Sequence, residues 1–319
     1  MSDLPAIVAA NPTRRKPVTH SAAARRRKRS SVASGHSGML DAAIRRISTV
    51  LSASSHEHWA IRAPGMRRIA NVGLSAEWLS ISLPLRLLSM PISLKIIASM
   101  LSRNARIDGS SRIIGQRRLG RRQIVADIPV DLLPWDEEAE LDLLLGSTIA
   151  GLNAALCPNV QHTESLSQAG LPREQIEAAF NEAGWPAQPG EGERPEIPLE
   201  VPGNYLVANV NHDSPSIRLS VPILAGELAA APDKCRDAVS VLLWLTSSRI
   251  RMVKATRSRR ALALEVSLLP GHCNAIGLAH ACAAVSVALQ QFVREAALLV
   301  ADEELAQIYL SNLGFPMSS

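Results

Sequence analysis

Aromatic side chains are scarce in this chain: three Phe, two Tyr and five Trp among 319 residues. The core must therefore be built from Leu, Ile, Val and Ala, and the 47% apolar content supplies enough of them. Cysteine is scarce too. Cys157, Cys235, Cys273 and Cys282 show no short paired spacing, so the expectation is free thiols in a reducing cytoplasm. The most hydrophobic stretch, Leu79 to Leu101, is broken by Pro84, Arg86, Pro91 and Lys95, which argues against a bilayer span. The N-terminus has basic runs without an apolar segment after them, so no secretory signal is expected; its Arg-, Ser- and Ala-rich composition also matches an organellar transit peptide. A Gly-rich phosphate loop followed by Lys is missing, as is a Gly-x-Ser-x-Gly elbow.

What charge there is lies unevenly. The formal net charge is +5, yet residues 1–37 alone hold eight basic residues (Arg14, Arg15, Lys16, Arg25, Arg26, Arg27, Lys28, Arg29) against Asp3. The remainder of the chain is slightly acidic, so the overall basicity is no argument for nucleic acid. Residues 1–37 also lack helical or strand periodicity and read as a disordered basic tail. Such a tail is either a solvated arm or an anchor for an acidic partner, a membrane surface or nucleic acid.

The body of the chain is written twice. Arg121-Arg122-Gln123-Ile124-Val125-Ala126-Asp127-Ile128, ending in Leu132-Leu133-Pro134, returns as Arg259-Arg260-Ala261-Leu262-Ala263-Leu264-Glu265-Val266, ending in Leu268-Leu269-Pro270. The same shift of 138 positions carries Leu79-Ser80-Ile81-Ser82-Leu83-Pro84 onto Ile217-Arg218-Leu219-Ser220-Val221-Pro222. Two matches at one offset indicate a tandem duplication. They divide the chain into a tail (1–37), a first lobe (38–157), a polar linker (158–170) and a second lobe (171–319).

Periodicity fills in each lobe. Leu40, Ile44, Ile47 and Leu51 share one face of a helix expected over Leu40–Ser52. Strands are expected near residues 59–62, 67–72 and 78–85, the last with apolar Leu79, Ile81 and Leu83 alternating with Ser80 and Ser82. A helix over about 92–103 follows, then strands near 112–115 and 123–130, then a helix to about Cys157 with Asp136 as its N-cap. The second lobe repeats the order. It has a helix over 173–183, a loop over 186–195, strands near 197–201, 205–211 and 216–223, a helix over 233–247, strands near 250–256 and 261–268, and a last helix capped by Asn274. In that helix Leu278, Cys282, Val285, Leu289, Phe292, Ala296 and Leu299 form one apolar stripe. Each lobe thus reads helix, three strands, helix, two strands, helix. Short turns between strands imply antiparallel sheets and an α+β fold.

Few residues carry a chemical signal. His272, Cys273, His280 and Cys282 are metal-ligating types, but their spacing matches no finger or ribbon, and His280 and Cys282 point apart on a helix, so no metal site or cofactor is expected. His56-Glu57-His58 reads as an exposed edge, and Asn211-His212-Asp213-Ser214 as a turn. The recurring feature is a basic hairpin. The first lobe has Arg112, Arg117, Arg118, Arg121 and Arg122; the second has Arg249, Arg251, Lys254, Arg257, Arg259 and Arg260. Arg117, Arg118, Arg121, Arg122, Arg257, Arg259 and Arg260 are the candidate residues for binding a partner or an anion, because guanidinium groups fork well onto carboxylate and phosphate. Solvated strand ends that discourage edge pairing explain them equally. Stacking aromatics are absent from both hairpins, which weakens a nucleic-acid reading.

This pattern resembles the type III secretion chaperone fold of CesT-like chaperones and YbjN-like proteins, over about residues 38–310. The resemblance rests on three segments in the first lobe: the helix ending Ala98-Ser99-Met100-Leu101-Ser102-Arg103-Asn104, the strand Val125-Ala126-Asp127-Ile128-Pro129, and the closing amphipathic helix. In the second it rests on Leu242-Leu243-Trp244-Leu245, on Leu264-Glu265-Val266, and on the helix from Asn274. Members of that family act as homodimers that wrap an extended client segment, and they are usually single-lobed and acidic. The resemblance implies a bacterial cytoplasmic, non-enzymatic protein-binding module, a monomer with an internal pseudo-dimer and a client or partner protein. A basic-tailed nucleic-acid or polyanion binder is the alternative, and an enzyme with a site between the lobes a further one.

Overall fold

The computed structural model describes residues 35–54, 57–85, 93–107, 111–116, 121–156, 172–190, 195–201, 204–211, 217–223, 225–257 and 261–315. The basic tail up to residue 34 and the expected linker at 158–170 lie outside them.

The first helix, α1, covers residues 35–47 and buries Leu40, Ala43 and Ile44. It stops earlier than its apolar periodicity predicts. Ser48 turns its hydroxyl and its backbone N–H onto the Ile44 carbonyl, and β-branched Thr49 and Val50 follow. The chain then enters β1 (Thr49–Ser54), and β2 (His58–Arg62), β3 (Ala70–Leu74) and β4 (Trp78–Pro84) follow as a meander. Helix α2 (Leu94–Asn104), capped by Ser93, leads to β5 (Ser111–Gln116) and β6 (Arg121–Pro129), and α3 (Glu138–Ala154) closes this half. The residue flanking α3 is Glu137 rather than Asp136, and its side chain makes no capping bond.

The second half opens with α4 (Arg173–Glu182) and runs through β7 (Gln188–Pro189), β8 (Pro195–Val201), β9 (Asn204–Asn211) and β10 (Ile217–Ile223). A short α5 (Ala225–Ala230) precedes α6 (Asp233–Arg249); β11 (Lys254–Arg257), β12 (Leu262–Leu268) and α7 (Ala275–Ala301) complete the series. A further helix, α8 (Glu303–Asn312), starts where Asp302 caps Leu305 N and packs on α6 and α7.

Among the described residues the strands form two antiparallel six-stranded sheets, ordered β1-β2-β3-β4-β6-β5 and β7-β8-β9-β10-β12-β11. The fold is α+β, and the strand order of the second sheet repeats that of the first. Four strands, not the expected three, precede the middle helix in each series. The added ones are β1, where Leu51 had continued a helical stripe, and the two-residue β7 inside an expected loop. The register also refines the internal match. Ser80 lies opposite Asp127, and Ser220 opposite Glu265, so Ser220 is the counterpart of Ser80 rather than of Ser82. A slip of two residues preserves the faces, because strand side chains alternate with a period of two.

In the first sheet Trp59, Ile61, Val72, Leu79, Ile81 and Leu83 point inward, and Leu141, Leu145 and Leu152 of α3 pack among the same buried residues. Trp59 Nε1 is satisfied by Asp41 of α1 at 2.7 Å. In the second sheet α7 lies across β8, β10 and β12 with α4 beside it. Helix α7 is long and apolar enough to cross a bilayer, the one such helix among the described residues, but half of its most apolar window is buried within the fold. Leu278, Val285, Leu289 and Phe292 are buried, as the stripe predicts. Leu289 is fully buried, so Leu289→Ala should lower the unfolding free energy by about 2–5 kcal/mol, read from denaturant titration.

Candidate functional site

The two halves meet along a seam in which each middle helix lies on the other half's edge strand: α2 packs on β11, α6 on β5, and α2 on α6. A strand edge buried under a helix leaves backbone groups that need partners. Asn104, the last residue of α2 and fully buried, supplies several. Its Oδ1 accepts from Ile113 N at 2.7 Å, while its Nδ2 donates to the Ile113 carbonyl at 3.2 Å and, across the seam, to that of Ala255 at 3.0 Å. One amide therefore stitches β5 to β11.

Two buried cations complete the seam, and they reach in opposite directions. Lys254 of β11 donates to the Ile107 carbonyl, just after α2, at 2.6 Å. Arg112 of β5 donates to the carbonyls of Ser247, in the last turn of α6, and of Val253. The C-terminal carbonyls of a helix welcome a cation, because several lack intrahelical partners and carry the negative end of the dipole. The second guanidinium nitrogen of Arg112 holds Asp127 Oδ2 at 2.7 Å. Burial pushes the Arg112 pKa below its ordinary value; Asp127 opposes that shift, and Arg251 adds to it.

Asp127 is the hub of a second layer. Its Oδ1 accepts from Ser80 Oγ at 2.6 Å and, more distantly, from Arg251 of the other half. Arg251 also bonds Ser80 Oγ and lies over the Trp78 ring at 5.3 Å from its centroid. His280 of α7 meets the Trp78 ring edge-on and pairs with Asp131 at 3.0 Å. The loop that delivers Arg251 is strained: Met252 has φ of 66°, a conformation that costs a non-glycine residue roughly 1–2 kcal/mol. The cross-seam bonds on either side of Met252 hold that loop in place.

The second sheet carries a plainer version. Glu265, the counterpart of Asp127, accepts from Thr256 Oγ1 at 3.0 Å, and its Oε2 is buried without a hydrogen-bond partner among the described residues. The Arg112–Asp127 and Thr256–Glu265 contacts occupy the same diagonal of their ladders, two positions off the directly paired residue. By register, Asp127, Ser80, Gly73, His58 and Ser54 form one transverse row in the first sheet. Glu265, Ser220, Asn209, Glu196 and Gln188 form the matching row in the second. Away from the seam, the face of the first sheet opposite its core carries His58, Ala60, Asn71, Gly73 and Ser82, all exposed or half-buried, with Ser80 and Trp78 at its border.

The basic hairpins do not form one ridge among the described residues. Arg117, Arg118, Arg259 and Arg260 lie outside those residues, and of Arg121 only the backbone is described, at the start of β6. Arg122 is half-buried, its pKa pushed down by burial and by nearby Arg103. Arg257 ends β11 half-buried, and its charge partly offsets the upward push of burial on Asp237. Arg112, Arg251 and Lys254, from the same two basic sets, belong to the seam. Sequence reasoning missed that role, although a signal existed: an acid stands at the same place in both copies of an otherwise apolar strand, as Asp127 and Glu265.

The remaining candidates separate. No group of three metal-ligating side chains gathers among the described residues. Burial pushes Cys273 up to about 11 and Cys282 up to about 12, so neither is a thiolate at neutral pH. His280 is engaged with Asp131. His272 is buried at the entry to α7, beneath Gly277, where any Cβ would collide with the His272 carbonyl oxygen. Asn274 caps that entry by accepting from Gly277 N at 2.9 Å. Of His56-Glu57-His58, His56 is outside the described residues and His58 lies at the exposed end of β2; of Asn211-His212-Asp213-Ser214 only Asn211 is described. Compared with known proteins, the chain matches no family model and no curated protein.

Two tests follow from the buried ionisable groups. Arg112→Met removes every donor that Arg112 brings and leaves Asp127 Oδ2 without its guanidinium, so unfolding free energy should fall by about 3–5 kcal/mol. Adding Asp127→Asn should recover part of the loss, as measured by denaturant titration of both variants. Among the described residues His272 has no partner at Nε2, and burial takes its pKa from 6.5 to about 4. The folded protein then binds fewer protons than the unfolded chain between those values. His272 therefore weakens the fold by nothing above pH 6.5 and by up to about 3 kcal/mol as the pH falls to 4. Denaturation across that range should show a shallower acid-side loss in His272→Gln than in the parent.

Proposed function

We propose that the protein is a non-enzymatic protein-binding module, a fused pseudo-dimer of type III secretion chaperone-like domains that holds an extended segment of a client or partner protein. The observation that carries this reading is the repeated strand order combined with reciprocal packing, α2 on β11 and α6 on β5. Two copies of one self-associating domain, joined head to tail, would meet in this way. In this reading the domains are residues 38–157 and 171–319, joined by 158–170 and preceded by the basic tail. The open face of the first sheet supports the client role. Its small polar side chains let another backbone approach closely, and Trp78 at the border provides a rigid anchor of the kind that dominates binding energy.

The test uses Asn71 and Ser82, which face each other across β3 and β4 on that open surface. The full chain should capture a defined protein that stays bound as salt is raised. Asn71→Arg with Ser82→Arg should lose the partner while keeping its melting temperature, and removing residues 1–34 should leave capture intact. The reading fails if the variant captures as well as the parent, or if the bound species is a nucleic acid released with a steep log–log salt slope.

A further inference from the structure

Asp127 balances two guanidiniums with one carboxylate. Arg112 and Arg251 both pair with it, so this cluster carries one more positive charge than negative. Asp131, beyond Trp78, does not make up the difference, because it is taken by His280. The surplus sits on Arg251: Arg112 is buried, whereas 43% of the Arg251 side chain is exposed. Arg251 spends Nη1 alone, on Ser80 Oγ and Asp127 Oδ1; among the described residues its Nε and Nη2 have no hydrogen-bond partner. Those two nitrogens make up one edge of the planar group, an edge that fits a carboxylate through two parallel bonds. The Trp78 ring, 5.3 Å away, holds the plane in position at the border of the open face.

We propose that Arg251 recognises an acidic side chain, Asp or Glu, within the extended segment bound on the open face of the first sheet. This rests on the client-binding reading of that face and adds the chemistry of the client. Charge complementarity selects the occupant. His58, Ala60, Asn71, Gly73 and Ser82 bring no carboxylate to the face, so a client acid meets no like charge there and finds a guanidinium with an unused edge at the border. A basic residue at the same place would meet the surplus positive charge. Past Trp78 the surface runs on over His280 and Asp131, whose side chains are 34% and 56% exposed. A segment therefore continues beyond Arg251, and the carboxylate it offers is a side chain rather than a chain end. Pairing neutralises the surplus while Nη1 keeps its bonds to Ser80 and Asp127.

The test selects random peptide segments, displayed with both ends joined to a carrier protein, against the full chain. The selected segments should share one Asp or Glu. As synthetic peptides blocked at both ends, they should lose about tenfold in affinity when that residue becomes Asn or Gln. Arg251→Gln should bind the acidic and amide peptides alike, and Arg251→Lys should show a smaller preference than the parent; melting curves establish which variants are folded, and either one suffices. A preference unchanged in the folded variants overturns the proposal, as does a free terminal carboxylate that restores the affinity lost by the amide peptide. Segments that are lost with Asn71→Arg and Ser82→Arg yet share no acidic residue overturn it too, and leave the client-binding reading standing. Segments indifferent to that double variant, or a selection without binders, overturn both.

Discussion

A guanidinium with 3% of its side chain exposed must find acceptors, and Arg112 finds them in two halves of the chain at once. Its own half supplies Asp127; the other supplies the carbonyls of Ser247 and Val253. Desolvating such a charge is costly, and the pair is tolerated only because several hydrogen bonds converge on it. Everything around it is arranged to keep those bonds available. Asn104 fixes the distance between β5 and β11, Arg251 occupies the other oxygen of Asp127, and the strained Met252 holds Arg251 and Val253 on either side. The seam is thus specified by polar geometry, while the apolar contacts of α2 and α6 supply bulk attraction without fixing direction.

The two sheets differ where this interaction sits. Asp127 is shared among Arg112, Arg251 and Ser80, whereas among the described residues Glu265 keeps Thr256 alone. The position of Trp78 is taken by Arg218 when Ser220 is matched to Ser80. Among the described residues the aromatic anchor, and an acid that pairs with a cation of the other half, therefore belong to the first sheet only, which gives the molecule two similar faces with different chemistry.

The sequence revealed much of this and hid a definable part. Helix α6 and strand β12 fell where their periodicity put them, and the buried stripe of α7 was correct residue by residue, because burial and a fixed period leave a strong imprint. Strand β1 was hidden because Leu51 continues the spacing of Leu40, Ile44 and Ile47; only the Ser48 hydroxyl, by taking the Ile44 carbonyl, shows that the helix has ended. The two-residue slip between β4 and β10 was invisible because alternation looks the same after such a shift. Helix α8 went unread although Asp302-Glu303-Glu304 is an N-terminal signal. The seam was illegible for a different reason. Arg112 and Lys254 look like surface cations in a list of residues, and only the fold shows that each is aimed at carbonyls of the other half.

The bonds of the seam span long stretches of chain: Arg112 to Ser247 across 135 positions, His280 to Asp131 across 149, and Arg251 to Ser80 across 171. Closing loops of that size costs entropy before any contact rewards it, whereas the hairpins of each sheet close locally. Loop closure therefore favours forming the sheets before the seam. During synthesis the first half emerges with Arg112 facing Asp127 but with no Ser247 or Val253 yet made. For the time needed to translate α6 and its following loop, a guanidinium destined for the interior remains in water, and the nascent chain carries an open edge at β5 that only its own later residues can close.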